Sequence, residues 1–306
     1  MDLRLQHTLG QSCRFEGKGL HTGKYASISI EPAPVDSGIR FLRTDIGEDA
    51  FIKAVAENVS CTARSTTLTE GEASVATVEH ILSALTGMGV DNAIIRIDND
   101  EVPILDGSAR PFVEAIVRCG LREQDRPVRM IELADTVEVE DENTGSFIRI
   151  EPSDSFAIDL TVDFGSRVLG VQSAHWEPGC DFASEIAPCR TFVFFHEIEF
   201  LAKNGLVKGG DVNNAIIIVE HPVTDEQVES LCSTLGIGKL AITDNGYLNN
   251  IELHFPEECG RHKMLDIIGD LTLCGGRLKA KVTAFKPGHK LNTNAAKAVR
   301  ESISKR

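Results

Sequence analysis

No two cysteines of this 306-residue chain are spaced as CxxC. The eight that occur, at 13, 61, 119, 180, 189, 232, 259 and 274, are scattered, which excludes a thiolate zinc site and a readable disulfide framework. Reduced thiols in a cytoplasmic protein, several of them buried, are the expectation. Positive charge is also scarce. Lys and Arg total 31 against 46 Asp and Glu, a formal net charge of −15. That excludes a general nucleic-acid binder, because neutralising phosphates takes a surplus of cations. An anionic small molecule needs only a local pair of basic groups and stays admissible. No apolar run approaches the roughly 18 residues that suggest a membrane span. The N-terminal MDLRLQHTLGQS has no continuous apolar stretch of the kind a secretory signal carries. Low-complexity tracts and long Gly/Ser or Pro-rich linkers are absent. So are HExxH, GxSxG, a P-loop and a strand–helix GxGxxG. GKGLHTG (17–23) is glycine-rich but lacks the Lys-Ser/Thr ending of a nucleotide loop, and reads as a tight turn between strands.

Hydrophobic content of 42% and charged content of 25% indicate a globular protein with a substantial core. The length suits one large domain or two of ordinary size. The best seam is REQDRPVR (122–129), dividing the chain into 1–126 and 127–306. In the first part, YASISIEP (25–32) alternates like a strand, with GIRFLR (38–43) as its neighbour. TVEHILSALTG (77–87) is a helix with Gly87 as terminator, NAIIRID (92–98) a strand and SARPFVEAIVRCG (108–120) a second helix. In the second part, SFIRIEP, FAIDLTVDF, NAIIIVE (214–220) and RLKAKVTAFK (277–286) are strands. RTFVFFHEIEFLAKNG (190–205) and RHKMLDIIGDL (261–271) are helices. GVDNAIIRID (89–98) and DVNNAIIIVE (211–220) share a polar turn, Asn-Ala and an Ile-rich strand, each after a helix. They suggest a duplicated unit of two helices on a mostly antiparallel sheet, although β-branched strands after Asn turns are common without duplication. Both element types in each part favour an α+β fold.

Nine histidines occur, most of them suited to surface or structural roles. In RHKMLDIIGDL, His262, Asp266 and Asp270 are four apart and share one helical stripe opposite Met264, Leu265, Ile267, Ile268 and Leu271. The spacing of His262 and Asp266 lets both reach one cation, and imidazole with carboxylate suits zinc. His80 would supply a third ligand and Glu79 a base toward water in the open position, if the two helices meet. Lys263, a quarter turn from His262, is placed to stabilise an oxyanion. Asp270, one turn beyond the metal, would hold a cationic group, and His289 in FKPGHKLN (285–292) offers one. A solvated polar face accounts for each stripe equally well on local pattern alone.

The set GKGLHTG, TVEHILSALTGMGVDNAIIRID, VPILDGSARPF, RTFVFF, GLVKGGDVNNAII, RHKMLDIIGDL and FKPGHKLN resembles the UDP-3-O-acyl-N-acetylglucosamine deacetylases in order and over nearly the whole chain. These zinc amidases commit a sugar nucleotide to lipid A synthesis in Gram-negative bacteria. The resemblance implies two similar α+β domains whose helix layers face each other in a β-α-α-β sandwich. It implies zinc on His80, His262 and Asp266, with ferrous iron an open alternative, and Glu79 as general base. Lys263 and Thr191 would meet the reacting carbonyl, and His289, paired with Asp270, would aid the leaving amine. Whether Glu79 or His289 protonates that amine stays open. Phe192, Phe194 and Ile198 would border the glucosamine ring and the acyl passage, and Gly210 and Lys286 the nucleotide. The expected substrate is an acylated UDP-sugar. The expected location is cytoplasmic, with a peripheral place at the inner membrane open. Fusion to or association with a hydroxyacyl-carrier-protein dehydratase occurs in such a family. The chain departs from it between NAIIIVE and RHKMLD, where 221–260 is long. EQVESLC there reads as a short helix, and NGYLNNIELHF as a turn and strand.

Overall fold

The computed structural model describes residues 4–203, 214–235 and 237–304. The first half contains β1 (Leu5–Leu9), β2 (Cys13–Lys18), β3 (Tyr25–Pro32), β4 (Ile39–Arg43), β5 (Phe51–Lys53), β6 (Val59–Cys61), β7 (Thr67–Glu70) and β8 (Ala73–Val75). Helix α1 (Glu79–Gly87), β9 (Ala93–Ile97), α2 (Arg110–Cys119) and β10 (Leu121–Pro127) follow. Next come β11 (Met130–Glu132), β12 (Val137–Asp141), β13 (Ser146–Pro152), β14 (Ala157–Asp163) and β15 (Val171–Trp176). Short α3 (Phe182–Glu185), β16 (Phe192–Phe194), α4 (Phe195–Lys203), β17 (Ile216–Ile218) and α5 (Asp225–Leu235) come after these. Last are α6 (Glu258–Leu271), β18 (Arg277–Phe285) and α7 (His289–Ser304).

Alternation makes the strands. Ala26, Ile28 and Ile30 of β3, Ile158, Leu160 and Val162 of β14, and Leu278, Ala280, Val282 and Ala284 of β18 are all buried on one face. The first sheet runs β2-β3-β9-β4-β5 and the second β12-β13-β18-β14-β15, with β11 beside the start of β18. The pairing sense matches strand for strand. Along the two five-strand paths β9–β4 and its counterpart β18–β14 are parallel and the other pairs antiparallel, while the added β11 pairs parallel to β18. Each unit therefore carries helix, central strand, helix: α1-β9-α2 in one and α6-β18-α7 in the other.

Four expectations are corrected. The duplication exists, but the counterpart of β9 is β18, not the NAIIIVE strand. That segment forms β17, which pairs with β16 in a separate two-stranded sheet. The GIRFLR strand is not beside β3, because β9 lies between them. RTFVFF is not helical: β16 precedes a helix that starts at Phe195. NGYLNNIELHF forms no strand, only bridges from Tyr247 to Ile218 and from Leu248 to Ile242. Smaller differences concern segment ends. REQDRPVR is largely β10, paired with β1. Gly87 is the last helical residue, and the left-handed position after α1 is Gly89, with φ of 81°.

The helix layers face each other through α1 and α6. Gly269 permits the approach, since a Cβ there would lie 2.1 Å from the Glu79 carbonyl oxygen. Every residue from Glu79 to Leu85 is consequently buried, which decides against a solvated polar face on this helix. Segment 221–257 stays outside both main sheets. Its α5 packs on α4, and Val228, Leu231, Cys232 and Leu248 form a small core with Phe195, Ile198, Ile217 and Val219.

Candidate active site

Four residues of α6 at intervals of four, Glu258, His262, Asp266 and Asp270, are all buried, at 0–2% exposure. Such a row is stable only if each member finds a partner. The N-terminal turn of α1 supplies some of these, because Glu79 and His80 abut it. Nε2 of His262 and Nε2 of His80 lie 3.4 and 3.9 Å from Asp266 Oδ1. The ligand atoms of the three residues all fall within 4.8 Å of one another. Two ligands on a tetrahedral zinc lie about 3.4 Å apart, given bonds near 2.0–2.2 Å.

The donor set fits a divalent cation in other respects. Asp266 Oδ1 is buried with no hydrogen-bond partner among the described residues, which buried carboxylate oxygens rarely tolerate. His262 Nδ1–H donates to the Cys189 carbonyl at 3.0 Å, which leaves its Nε2 lone pair facing Asp266 and His80. Burial and the neighbouring His262 push His80 down to about 3, so its ring is neutral. Burial would raise Asp266, but Lys263 and His262 outweigh it and hold the carboxylate far below its usual range. Lys263 Nζ donates to Asp266 Oδ2 at 2.8 Å and sits 5.4 Å above the Phe192 ring. Burial alone would lower the Lys263 ammonium, but Asp266 holds it above its ordinary value.

A second set of groups flanks the triad. Burial pushes Glu79 up to about 7; His289 opposes this, while Asp270 and Asp266 add to it. Its Oε2 accepts from the Thr66 backbone N–H at 3.0 Å. His289, at the first position of α7, donates from Nδ1 to Asp270 Oδ2 at 3.1 Å. Burial would lower His289, but Asp270 and Glu79 raise it to about 9, so the ring is cationic at neutral pH. Asn292 Nδ2 donates to the same Asp270 oxygen at 2.8 Å, and Thr66 Oγ1 donates to the other at 2.6 Å.

A cavity of about 350 Å³ joins these groups. Glu79, His80, His262, Lys263, Asp266 and His289 line it, together with Thr191, Phe192 and Ile198. Thr191 is held by its N–H to Gly107 O at 2.8 Å and by the Ile216 N–H on its own carbonyl at 2.9 Å. Three expected substrate residues are not among the lining. Phe194 stacks on His196 with 5.8 Å between centroids. Lys286 pairs with Asp163 at 3.2 Å on the far end of β18. Gly210 lies outside the described residues.

Several contributors carried no clear sequence signal. Glu258 continues the α6 stripe one turn back, so counting four residues before His262 would have found it. Its Oε1 accepts from the Arg190 N–H and Nε at 3.0 and 2.9 Å, which fixes the segment that presents Cys189 O and Thr191. Glu101 is buried and accepts from His21 N, Thr22 N, Thr22 Oγ1 and Thr77 Oγ1. It thereby holds the GLHTG turn, and His21 of that turn lines the cavity.

Two facing helix layers bring onto one cavity a buried His-His-Asp set that could hold a metal ion, a carboxylate and a lysine, in a protein of the α+β class. The chain belongs to the LpxC family: the family model described as UDP-3-O-acyl N-acetylglycosamine deacetylase matches residues 6–230 and 238–301. The internal gap in the match, 231–237, begins within α5. A bifunctional enzyme LpxC/FabZ of Porphyromonas gingivalis is 40% identical over 301 residues, covering 98% of this chain and 65% of that protein. The UDP-3-O-acyl-N-acetylglucosamine deacetylase of Teredinibacter turnerae is 39% identical over 293 residues, 94% of this chain and 87% of the relative. That of Pseudomonas entomophila is 40% identical over 291 residues, with the same coverage. The chain thus spans somewhat less than two thirds of the bifunctional relatives' length.

Proposed function

We propose that the chain hydrolyses the N-acetyl group of UDP-3-O-((R)-3-hydroxyacyl)-N-acetylglucosamine, releasing acetate, the committed step of lipid A biosynthesis. The observation that carries this reading is the convergence of His80, His262 and Asp266 with Glu79, Lys263 and His289 on one cavity. His80, His262 and Asp266 would hold zinc, from the two units divided at 126/127. When bound, that ion supplies a Lewis acid that lowers the pKa of water to about 7 and polarises the carbonyl.

The chain's own groups do the rest. Glu79 Oε2 is engaged by Thr66, so Oε1 accepts the proton of the attacking water. Lys263 has donors beyond its bond to Asp266, and with Thr191 it meets the carbonyl oxygen as charge develops there. His289, charged and held by Asp270, stabilises that charge, while Glu79 returns the proton to the leaving amine. Phe192 and Ile198, with Phe194 behind them, border the sugar and the acyl chain. Gly210 and Lys286 would serve the nucleotide, Lys286 by leaving Asp163.

Association with a hydroxyacyl-carrier-protein dehydratase is part of the reading, supported by the names of the bifunctional relatives. A cytoplasmic place peripheral to the inner membrane accords with it; among the described residues no helix is long and apolar enough to cross a membrane. The test is acetate release by zinc-loaded protein from acylated and unacylated UDP-N-acetylglucosamine. Turnover confined to the acylated compound is expected. Equal turnover of both points to another N-acyl amino-sugar amidase, and no turnover of either defeats the proposal.

A further inference from the structure

The three-stranded sheet β6-β7-β8 belongs to neither main sheet, yet the loop between β6 and β7 delivers a residue that hydrogen-bonds two carboxylates of the site. Thr66 is completely buried. Its backbone is tied to the start of α1 in both directions. The N–H donates to Glu79 Oε2 at 3.0 Å, and the carbonyl accepts from Val78 N–H at 3.3 Å. Its side chain reaches other elements. Oγ1–H donates to Asp270 Oδ1 on α6 at 2.6 Å and lies 3.4 Å from His289 Nδ1 on α7.

Among the described residues, Thr66 alone hydrogen-bonds both Glu79 and Asp270. The three groups it joins come from three helices. Glu79 must reach the attacking water and His289 the developing charge, so their mutual placement decides whether both act on one reacting centre. Helix packing fixes such distances only through whole-body contacts. A residue bonded to both carboxylates fixes them directly. The Thr66 hydroxyl has one proton, and among the described residues Asp270 Oδ1 has no other donor. Removing it leaves that buried oxygen unpaired and lets the carboxylate turn, carrying the His289 ring with it.

We propose that Thr66 is a positioning residue that indexes Glu79 against the Asp270–His289 pair. This rests on the deacetylation reading. It makes the seating of the β6–β7 loop part of the catalytic geometry, although no side chain of that loop needs to touch substrate for it.

Thr66→Val deletes the hydroxyl at nearly constant shape and keeps the backbone bonds to α1; Thr66→Ser restores the hydroxyl. Both are compared with the wild type as zinc-loaded protein, with thermal melts to confirm folding. For Thr66→Val, kcat on the acylated UDP-sugar is expected to fall by roughly 10- to 100-fold. KM and zinc affinity, the latter from chelator competition, should stay within about threefold, and Thr66→Ser should recover kcat to within about threefold. Without substrate, the ¹⁵N ring resonances of His289 should move in Thr66→Val and return in Thr66→Ser. Wild-type kcat in the valine variant overturns the proposal. So does equal impairment of valine and serine variants, or an unmoved His289 signal. If the wild type releases no acetate, the functional reading fails instead, and the His289 resonances still decide the link from Thr66 through Asp270.

Discussion

The two units share one topology and use it differently. In the first, α1 gives the site only its opening turn, Glu79 and His80, and the β9–α2 connection gives nothing to the metal set. Asp106 there accepts from Ser108 N and Oγ, and Gly107 packs against the Asn214 backbone. In the second, α6 gives a buried polar row of four residues and the first position of α7 gives His289. The comparison teaches that the scaffold is symmetric while the chemistry is not. Neither unit holds all three of His80, His262 and Asp266, the residues that could hold a metal ion, and the three converge only where α1 meets α6.

The strongest way to break this picture is to remove a ligand from either side. His80→Ala in the first unit and Asp266→Ala in the second should each abolish measurable acetate release and weaken zinc retention on dialysis. Loss from one side only would mean that the units do not share the ion. Glu79→Ala comes next: kcat should fall by roughly 10³-fold with zinc retained, since a positioned base contributes that order of rate. Near-normal turnover would remove Glu79 from the role of base.

The contact itself is tested by Gly269→Ala. The new Cβ meets the Glu79 carbonyl, so the helices must shift, and chemical denaturation should show a loss of about 1–3 kcal/mol. A neutral result would mean that α1 and α6 are less closely apposed. His289 gives a pH-dependent prediction. Its folded pKa of about 9 lies above the ordinary 6.5, so the pairing with Asp270 stabilises the fold fully below 6.5 and is lost as pH rises through about 9. The stability gap between wild type and His289→Asn should therefore narrow across that window. A gap independent of pH would show that the ring is uncharged. The smallest effect belongs to Lys286→Ala, where a severalfold rise in KM at constant kcat is expected if the side chain serves the nucleotide.

How much of this was legible in the sequence follows the distance over which each signal acts. His262, Asp266 and Asp270 announced themselves because a helix turns spacing of four into one stripe. Glu258 obeys the same rule and was missed only because the count started at His262. Thr66 gave no local sign: its partners Glu79 and Asp270 are 13 and 204 residues away. On local pattern the polar side of α1 could equally be solvated, because its own helix cannot reveal that α6 covers it. The repeat was sensed through the wrong strand. Asn-Ala and isoleucines describe a buried strand after a turn, but they do not say which neighbour it pairs with, and so β17 stood in for β18. RTFVFF reads as helix because the apolar run continues unbroken into α4, and pairing with β17 makes Phe192–Phe194 a strand.

The central claim is that one ion is shared between the two units, and anomalous diffraction at the zinc edge tests it most directly. A single strong peak is predicted, bounded by His80 Nε2, His262 Nε2 and Asp266 Oδ1. A peak that omits His80, or zinc bound only elsewhere on the chain, would contradict it.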